Sequence, residues 1–87
     1  MTWQVYVLRS QSAERTYVGI ALDVDERLAQ HNGSKPGGAK TTRAGRPWAL
    51  AKVYGPYDER ALAQRAEARV KRLRGEARLS WDGEIID

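Results

Sequence analysis

The chain has 87 residues, a net charge of +4 and no cysteine, which allows one domain with a thin core. Its hydrophobic fraction of 41% and charged fraction of 30% are those of a globular protein and exclude disordered and fibrous classes. The lack of cysteine excludes disulfides, thiolate nucleophiles and sulfur-ligated zinc. Because no apolar run reaches signal or membrane-span length, we expect a cytoplasmic protein with no membrane partner.

The N-terminal region predicts a β-hairpin. Residues 3–8 are β-branched and aromatic with partial alternation, as are residues 16–20, and a polar stretch separates them. The period of two places Tyr6 on one face of the first strand, and Tyr17 and Gly19 together on one face of the second.

A first helix is predicted over residues 23–32. Asp23 and Glu26 have the spacing of a capping box, and Asn32 followed by glycine ends the apolar stripe. Arg27 and His31 are four residues apart, so they lie on one face of this helix.

Residues 33–47 predict a long loop, because they contain four glycines, two prolines and no apolar period. Loops of this length in compact domains are often functional. The loop carries basic side chains and no acid, as a phosphate-backbone surface requires, although a solvated polar loop would look the same. These basic residues are Lys35, Lys40, Arg43 and Arg46.

A third strand is predicted over residues 48–54, ended by Gly55 and Pro56. Asp58 is then the predicted cap of a second helix that runs to Gly75. This helix carries Glu67 beside its apolar stripe, and its basic side chains add to the positive charge of the loop.

The order strand, strand, helix, strand, helix predicts an α+β fold with a three-stranded antiparallel sheet flanked by helices. Residues 76–80 add a short helical turn near the C-terminus. We expect a single domain over residues 1–80 and an acidic tail over residues 81–87, which contains Asp82, Glu84 and Asp87.

The ordered set of functional residues resembles the GIY-YIG nuclease domain. The two tripeptides that give this family its name appear here as residues 5–7 (VYV) and 17–19 (YVG), and the first keeps only its central tyrosine. The resemblance continues through residues 23–32 (DVDERLAQHN), the basic stretch that ends at Thr42 and Arg43, and the helical Glu67 followed by Lys71, so it covers about residues 3–75. The chain is similar to the compact stand-alone members and to the structure-specific branched-DNA nucleases.

The resemblance implies a metal-dependent endonuclease that hydrolyses DNA, branched or nicked forms included, in repair or recombination. Glu67 would hold one Mg²⁺ or Mn²⁺, whose other ligands are waters and substrate, and Arg27 would bind phosphate oxygens. Proton handling is implied for Tyr6, Tyr17 and His31, and the choice of general base among them stays open.

The implied nucleic-acid contacts involve Gly19, which would leave room for substrate, and a set of basic side chains. With no second domain to select a target, recognition would be structure-directed or weakly specific. The basic set comprises Lys35, Lys40, Arg43, Arg46 and Lys71.

Each of these residues also has a structural interpretation. The two tyrosines are compatible with half-buried core aromatics, Arg27 with an ion pair to Asp23, and His31 with a helix C-terminal cap. Glu67 is compatible with a helix-surface pair to Lys71. An alternative function on the same fold is a catalytically silent module that binds nucleic acid or a protein.

Overall fold

The computed structural model describes residues 1–85 as an α+β fold built on a three-stranded antiparallel sheet. The strands are β1 (Trp3–Ser10), β2 (Thr16–Ala21) and β3 (Trp48–Tyr57), with β1 in the middle of the order β2-β1-β3. Two helices complete the order β-β-α-β-α, so the predicted fold class is confirmed.

Strand β3 is longer than predicted. The expected end at Gly55 and Pro56 is wrong, because strand pairing continues to Tyr57, which pairs with Trp3 of β1. Pro56 has no N–H to donate, but β3 is an edge strand and the pairing register shifts at this point. Edge strands and register shifts are the places where a sheet accepts proline.

Helix α1 (Val24–His31) begins and ends as the capping pattern predicts. The Asp23 carboxylate accepts a hydrogen bond from the backbone N–H of Glu26 at 3.0 Å, and Asn32 is the C-terminal cap residue. The cap satisfies one of the amide groups that the first turn leaves without an intrahelical partner.

Helix α2 (Arg60–Arg72) begins later than predicted, and the assignment of Asp58 as its cap is wrong. The cap position is Glu59, whose side chain makes no capping hydrogen bond. Because β3 extends to Tyr57, Asp58 lies in the connection, one residue before the cap position. The predicted short helical turn is present as a 3₁₀ helix over Gly75–Leu79.

Strand β1 is buried on both faces, which positions its side chains in two separate clusters. Val5 and Val7 face α2 and pack on its buried alanines and valine. Tyr6 and Leu8 face the side of α1, where Trp48 also packs. Alternation along a central strand therefore directs Tyr6 toward α1.

The segment after Leu79 packs against the α2 side of the sheet. Trp81 and Ile85 contact that cluster, and the Tyr57 hydroxyl donates to the Gly83 carbonyl at 2.7 Å. The boundary predicted at residue 80 stays a prediction, and the last part of the predicted tail, residues 86–87, lies outside the described residues. Among the helices described here, none is long and apolar enough to cross a membrane.

Candidate active site

The centre of the candidate site is a buried pair of side chains, Tyr6 and His31. A hydrogen bond of 2.8 Å joins the Tyr6 hydroxyl to Nε2 of His31. Tyr6 is 1% exposed and His31 is fully buried, so the interpretation of His31 as a surface cap does not describe its contacts. The phenol and the imidazole are held in a fixed relationship inside the protein.

Gly19 makes room for the Tyr6 phenol. It lies directly opposite Tyr6 in the β1–β2 register. A Cβ atom placed on Gly19 would lie 2.5 Å from the Tyr6 hydroxyl oxygen and 2.7 Å from its ring carbon Cζ. The space left by the missing side chain is therefore filled by Tyr6, whereas the sequence predicted that it would admit substrate.

Tyr17 stands beside this pair on β2. Its ring centroid lies 4.7 Å from that of His31 and 6.3 Å from that of Tyr6. Within residues 1–85 its hydroxyl has no hydrogen-bond partner, unlike the Tyr6 hydroxyl. The three aromatic groups form one cluster, as period-two alternation on two neighbouring strands predicts.

Arg27 does not form the structural ion pair with Asp23 that the sequence allowed. Its Nη1 donates instead to Oε1 of Gln30 at 2.6 Å and to the Gly37 carbonyl at 2.9 Å. Both bonds use a single guanidinium nitrogen and fix the group, and the Arg27 side chain also lies close enough to Tyr6 to lower the pKa of the phenol.

Glu67 lies on α2, the helix that packs against Val5 and Val7 of β1. Its side chain is 22% exposed and forms the expected pair with Lys71, with Nζ and Oε2 3.3 Å apart. The carboxylate is close enough to Tyr6 to affect the pKa of the phenol. Glu67 thus forms the surface pair that the sequence allowed, and its place in a catalytic site stays a prediction.

Burial controls the protonation of the central pair. Burial raises the pKa of Tyr6, a side-chain hydrogen bond with Arg27 and the charge of Arg27 lower it, and the charges of Tyr17 and Glu67 raise it further. Burial also lowers the pKa of His31 to about 4, helped by the positive charges of Arg27 and Arg46. At neutral pH the resting site therefore contains a neutral phenol and a neutral imidazole.

The residue on the other side of His31 is Thr42, for which the sequence predicted no role. Nδ1 of His31 hydrogen-bonds Oγ1 of Thr42 at 3.0 Å, and Thr42 is fully buried. Thr42 belongs to a one-turn 3₁₀ helix (Lys40–Thr42) in the glycine-rich loop. A lone threonine in a polar loop carries no periodic signal, so its burial is visible only in the structure.

The basic side chains predicted to bind nucleic acid have different environments. Lys40 and Arg43 are exposed at the 3₁₀ helix of the loop. Nζ of Lys35 lies 3.8 Å from Oε1 of Glu26. Arg46 has a structural contact, because its Nε donates to the His31 carbonyl at 2.6 Å at the end of α1. DNA binding by these residues stays a prediction.

Metal binding by Glu67, as predicted from the sequence, would rely on a single carboxylate. Across residues 1–85 there is no group of three or more histidine, cysteine, aspartate or glutamate side chains arranged to hold a metal ion. Glu67 already attracts one cation, the Lys71 ammonium group. A lone carboxylate fits Mg²⁺, which keeps most of its water and shares substrate oxygens.

The structure brings together the phenol of Tyr6, the imidazole of His31 and the ring of Tyr17, and the catalytic roles of these residues, Arg27 and Glu67 stay predictions. The model of the GIY-YIG catalytic domain matches residues 2–79. The chain therefore belongs to the GIY-YIG catalytic domain family.

Relatives of two kinds agree with this assignment. UPF0213 protein YhbQ of Escherichia coli is 39% identical over 86 residues, which cover 97% of this chain and 82% of that protein. Structure-specific endonuclease subunit slx1 of Schizosaccharomyces pombe is 48% identical over 48 residues, 54% of this chain. The Structure-specific endonuclease subunit SLX1 homolog of Cryptosporidium parvum is 38% identical over 63 residues, 71% of this chain.

The matched regions are only 18% and 15% of the two endonuclease subunits, so the chain corresponds to a small part of each. The family model and these endonuclease relatives together support an endonuclease.

Proposed function

We propose that this protein is a metal-dependent endonuclease that hydrolyses DNA phosphodiester bonds, with structure-directed or weakly specific recognition, in DNA repair or recombination. The observation that carries the proposal is the buried Tyr6–His31 hydrogen bond, with the Arg27 side chain close enough to Tyr6 to lower the pKa of the phenol. It is supported by the family assignment and by the endonuclease relatives.

Arg27 is the phosphate-binding group of the proposed site. A phosphodiester resists hydrolysis because its negative oxygens repel a nucleophile, and a fixed guanidinium counters that charge.

Tyr6 and His31 are the proton-transfer pair. Tyr6 accepts the proton of the attacking water while its own proton passes to His31, so that the phenol never has to ionise in isolation. The raised pKa of Tyr6 and the lowered pKa of His31 keep the proton on Tyr6 in the absence of DNA. A phosphate bound to Arg27 offsets one of the charges that lowers the pKa of His31, so substrate binding favours the transfer.

Glu67 is the proposed metal ligand, for Mg²⁺ or Mn²⁺. A divalent cation held there would supply charge stabilisation for the phosphate and the leaving oxygen. The exchange of the Lys71 ammonium for this cation would release Lys71 toward a phosphate group. The Tyr17 hydroxyl is a further candidate for a phosphate oxygen or the attacking water.

The test uses the purified chain with branched, nicked and linear DNA, in Mg²⁺, in Mn²⁺ and in chelator. We expect metal-dependent cleavage that falls by about 10²-fold or more in Arg27→Ala. Arg9→Ala, the same change at an exposed arginine of β1 that pairs with Glu76, is the control and should keep wild-type activity. Binding of DNA with no cleavage of any of these substrates would contradict the proposal and favour the silent binding module.

A further inference from the structure

A chain of hydrogen bonds extends from Tyr6 through His31 into the glycine-rich loop. The Tyr6 hydroxyl meets Nε2 of His31 at 2.8 Å, and Nδ1 of His31 meets Oγ1 of Thr42 at 3.0 Å. Oγ1 of Thr42 in turn donates to the Ala39 carbonyl at 2.7 Å. His31 and Thr42 are fully buried and Tyr6 nearly so, and bulk water therefore does not compete for these bonds.

The last bond in the chain sets the direction of the others. A carbonyl oxygen can only accept, so the single hydroxyl proton of Thr42 is committed to Ala39. The Thr42 oxygen must then accept from His31, which places the imidazole proton on Nδ1. A neutral imidazole carries one N–H, so Nε2 has the lone pair and accepts the Tyr6 hydroxyl proton.

Thr42 is itself held in place by the protein around it. The indole Nε1 of Trp48 donates to the Thr42 carbonyl at 2.6 Å. The Asn32 carboxamide makes two bonds to the Trp48 backbone, at 2.6 Å to its N–H and 2.9 Å to its carbonyl. The end of α1 and the start of β3 therefore fix the position of the Thr42 hydroxyl.

We propose that Thr42 is a positioning residue of the nuclease reaction, which holds His31 in the Nδ1–H tautomer so that Nε2 can take the Tyr6 proton. The claim that Thr42 affects catalysis rests on the proposed function, whereas the claim that Thr42 sets the tautomer of His31 does not. Without the Thr42 oxygen, an Nδ1–H would be buried with no acceptor, and such groups are costly. The imidazole would then place its proton on Nε2 and donate to Tyr6, and it could not receive the phenol proton.

The direct test is the tautomer of His31 measured by ¹⁵N NMR. The chain contains one histidine, so its two ring nitrogens give unambiguous signals. We expect the wild type to show a protonated Nδ1 and an unprotonated Nε2 at pH 7. The opposite tautomer in the wild type would overturn the proposal, whatever any variant does.

Variants then separate the hydroxyl from the shape of the side chain. Thr42→Val keeps the shape and removes the oxygen, so we expect the proton to move to Nε2 and the cleavage rate constant to fall at least about tenfold. Thr42→Ser restores the oxygen and should restore both the tautomer and the rate. Thr41→Val makes the same change at the exposed neighbouring position and should leave both at wild-type values.

Two outcomes of the variant series contradict the proposal. The first is a Thr42→Val protein that keeps the Nδ1–H tautomer, and the second is a tautomer change with cleavage unaffected. If the wild type binds DNA and cuts nothing, the proposed function fails, and the claim that Thr42 affects catalysis fails with it. The NMR spectra would still decide whether Thr42 sets the tautomer.

Discussion

A hydrogen bond of 2.8 Å joins the Tyr6 hydroxyl to Nε2 of His31, two residues that are 25 positions apart in the sequence. The bond joins the central strand β1 to the last residue of α1, and its two members are shielded from solvent. It ties the chemistry of the site to the packing of the fold, so changes to either partner should have separable effects on catalysis and stability.

Removal of the Tyr6 hydroxyl should abolish proton transfer. We expect Tyr6→Phe to lower the cleavage rate constant by about 10²-fold or more, the usual size of a general acid–base contribution. Tyr54→Phe is the matched control, because it removes another inward hydroxyl, which donates to the Arg78 carbonyl at 2.5 Å in the α2-side cluster. Equal loss of activity in both variants, measured by single-turnover cleavage, would mean that the effect is structural.

A methyl group at Gly19 should displace the Tyr6 phenol. Its Cβ would lie 2.5 Å from the hydroxyl oxygen, closer than packing allows. We expect Gly19→Ala to destabilise the fold by about 1–3 kcal/mol in urea unfolding and to reduce cleavage strongly. Gly75→Ala meets nothing within 4 Å but has a φ of +55°, so it should cost about 1 kcal/mol with cleavage unchanged. Full activity in Gly19→Ala would contradict this account of the glycine.

His31 should make the fold sensitive to mild acid. Its pKa is about 4 in the folded protein and 6.5 in the unfolded chain, so the unfolded chain binds more protons between these values. Stability is therefore complete above pH 6.5 and declines as pH falls toward 4, by about 2 kcal/mol between pH 7 and pH 5. Urea unfolding at several pH values measures this slope, and His31→Gln should lose most of it. An unchanged slope in His31→Gln would assign it to other groups.

Much of the fold and part of the site could be predicted from the sequence. The alternation of residues predicted the faces of two neighbouring strands on which Tyr6 and Tyr17 lie. The capping pattern that begins at Asp23 predicted α1. Both signals could be read because they are local in sequence. The role of Thr42 depends on how an irregular loop folds back on His31, which no periodicity encodes. The contact of Arg46 with the His31 carbonyl was hidden for the same reason, and the extension of β3 through Pro56 depends on its place at the sheet edge.

The exposed cations of the loop should contribute to DNA binding through salt-dependent contacts. We expect Lys40→Ala and Arg43→Ala each to reduce the slope of log affinity against log salt by about 0.9, the value for one lost phosphate contact on duplex DNA. Lys52→Ala is the control, because Lys52 lies over the Tyr54 ring on the α2 side of the sheet. A slope that falls equally in all three variants would indicate general electrostatics, without a defined surface.

Arg46 should behave differently from Lys40 and Arg43, because its substitution should affect the stability of the fold. Its Nε bond to the His31 carbonyl makes it part of the fold, so Arg46→Ala should lower stability by about 1–3 kcal/mol. A folded Arg46→Ala protein with wild-type stability and a reduced salt slope would instead return Arg46 to the DNA-binding surface.

The most direct measurement of the central claim is metal-dependent cleavage by Glu67→Gln. This variant keeps the size of the side chain and removes the charge that would hold the cation. Glu76→Gln is the matched control, since Glu76 is an exposed carboxylate paired with Arg9 at 2.6 Å. The account predicts that wild type and Glu76→Gln cut DNA in Mg²⁺ and stop in chelator, while Glu67→Gln binds DNA and does not cut it. Cleavage by Glu67→Gln at the wild-type rate, or cleavage that persists in chelator, would contradict it.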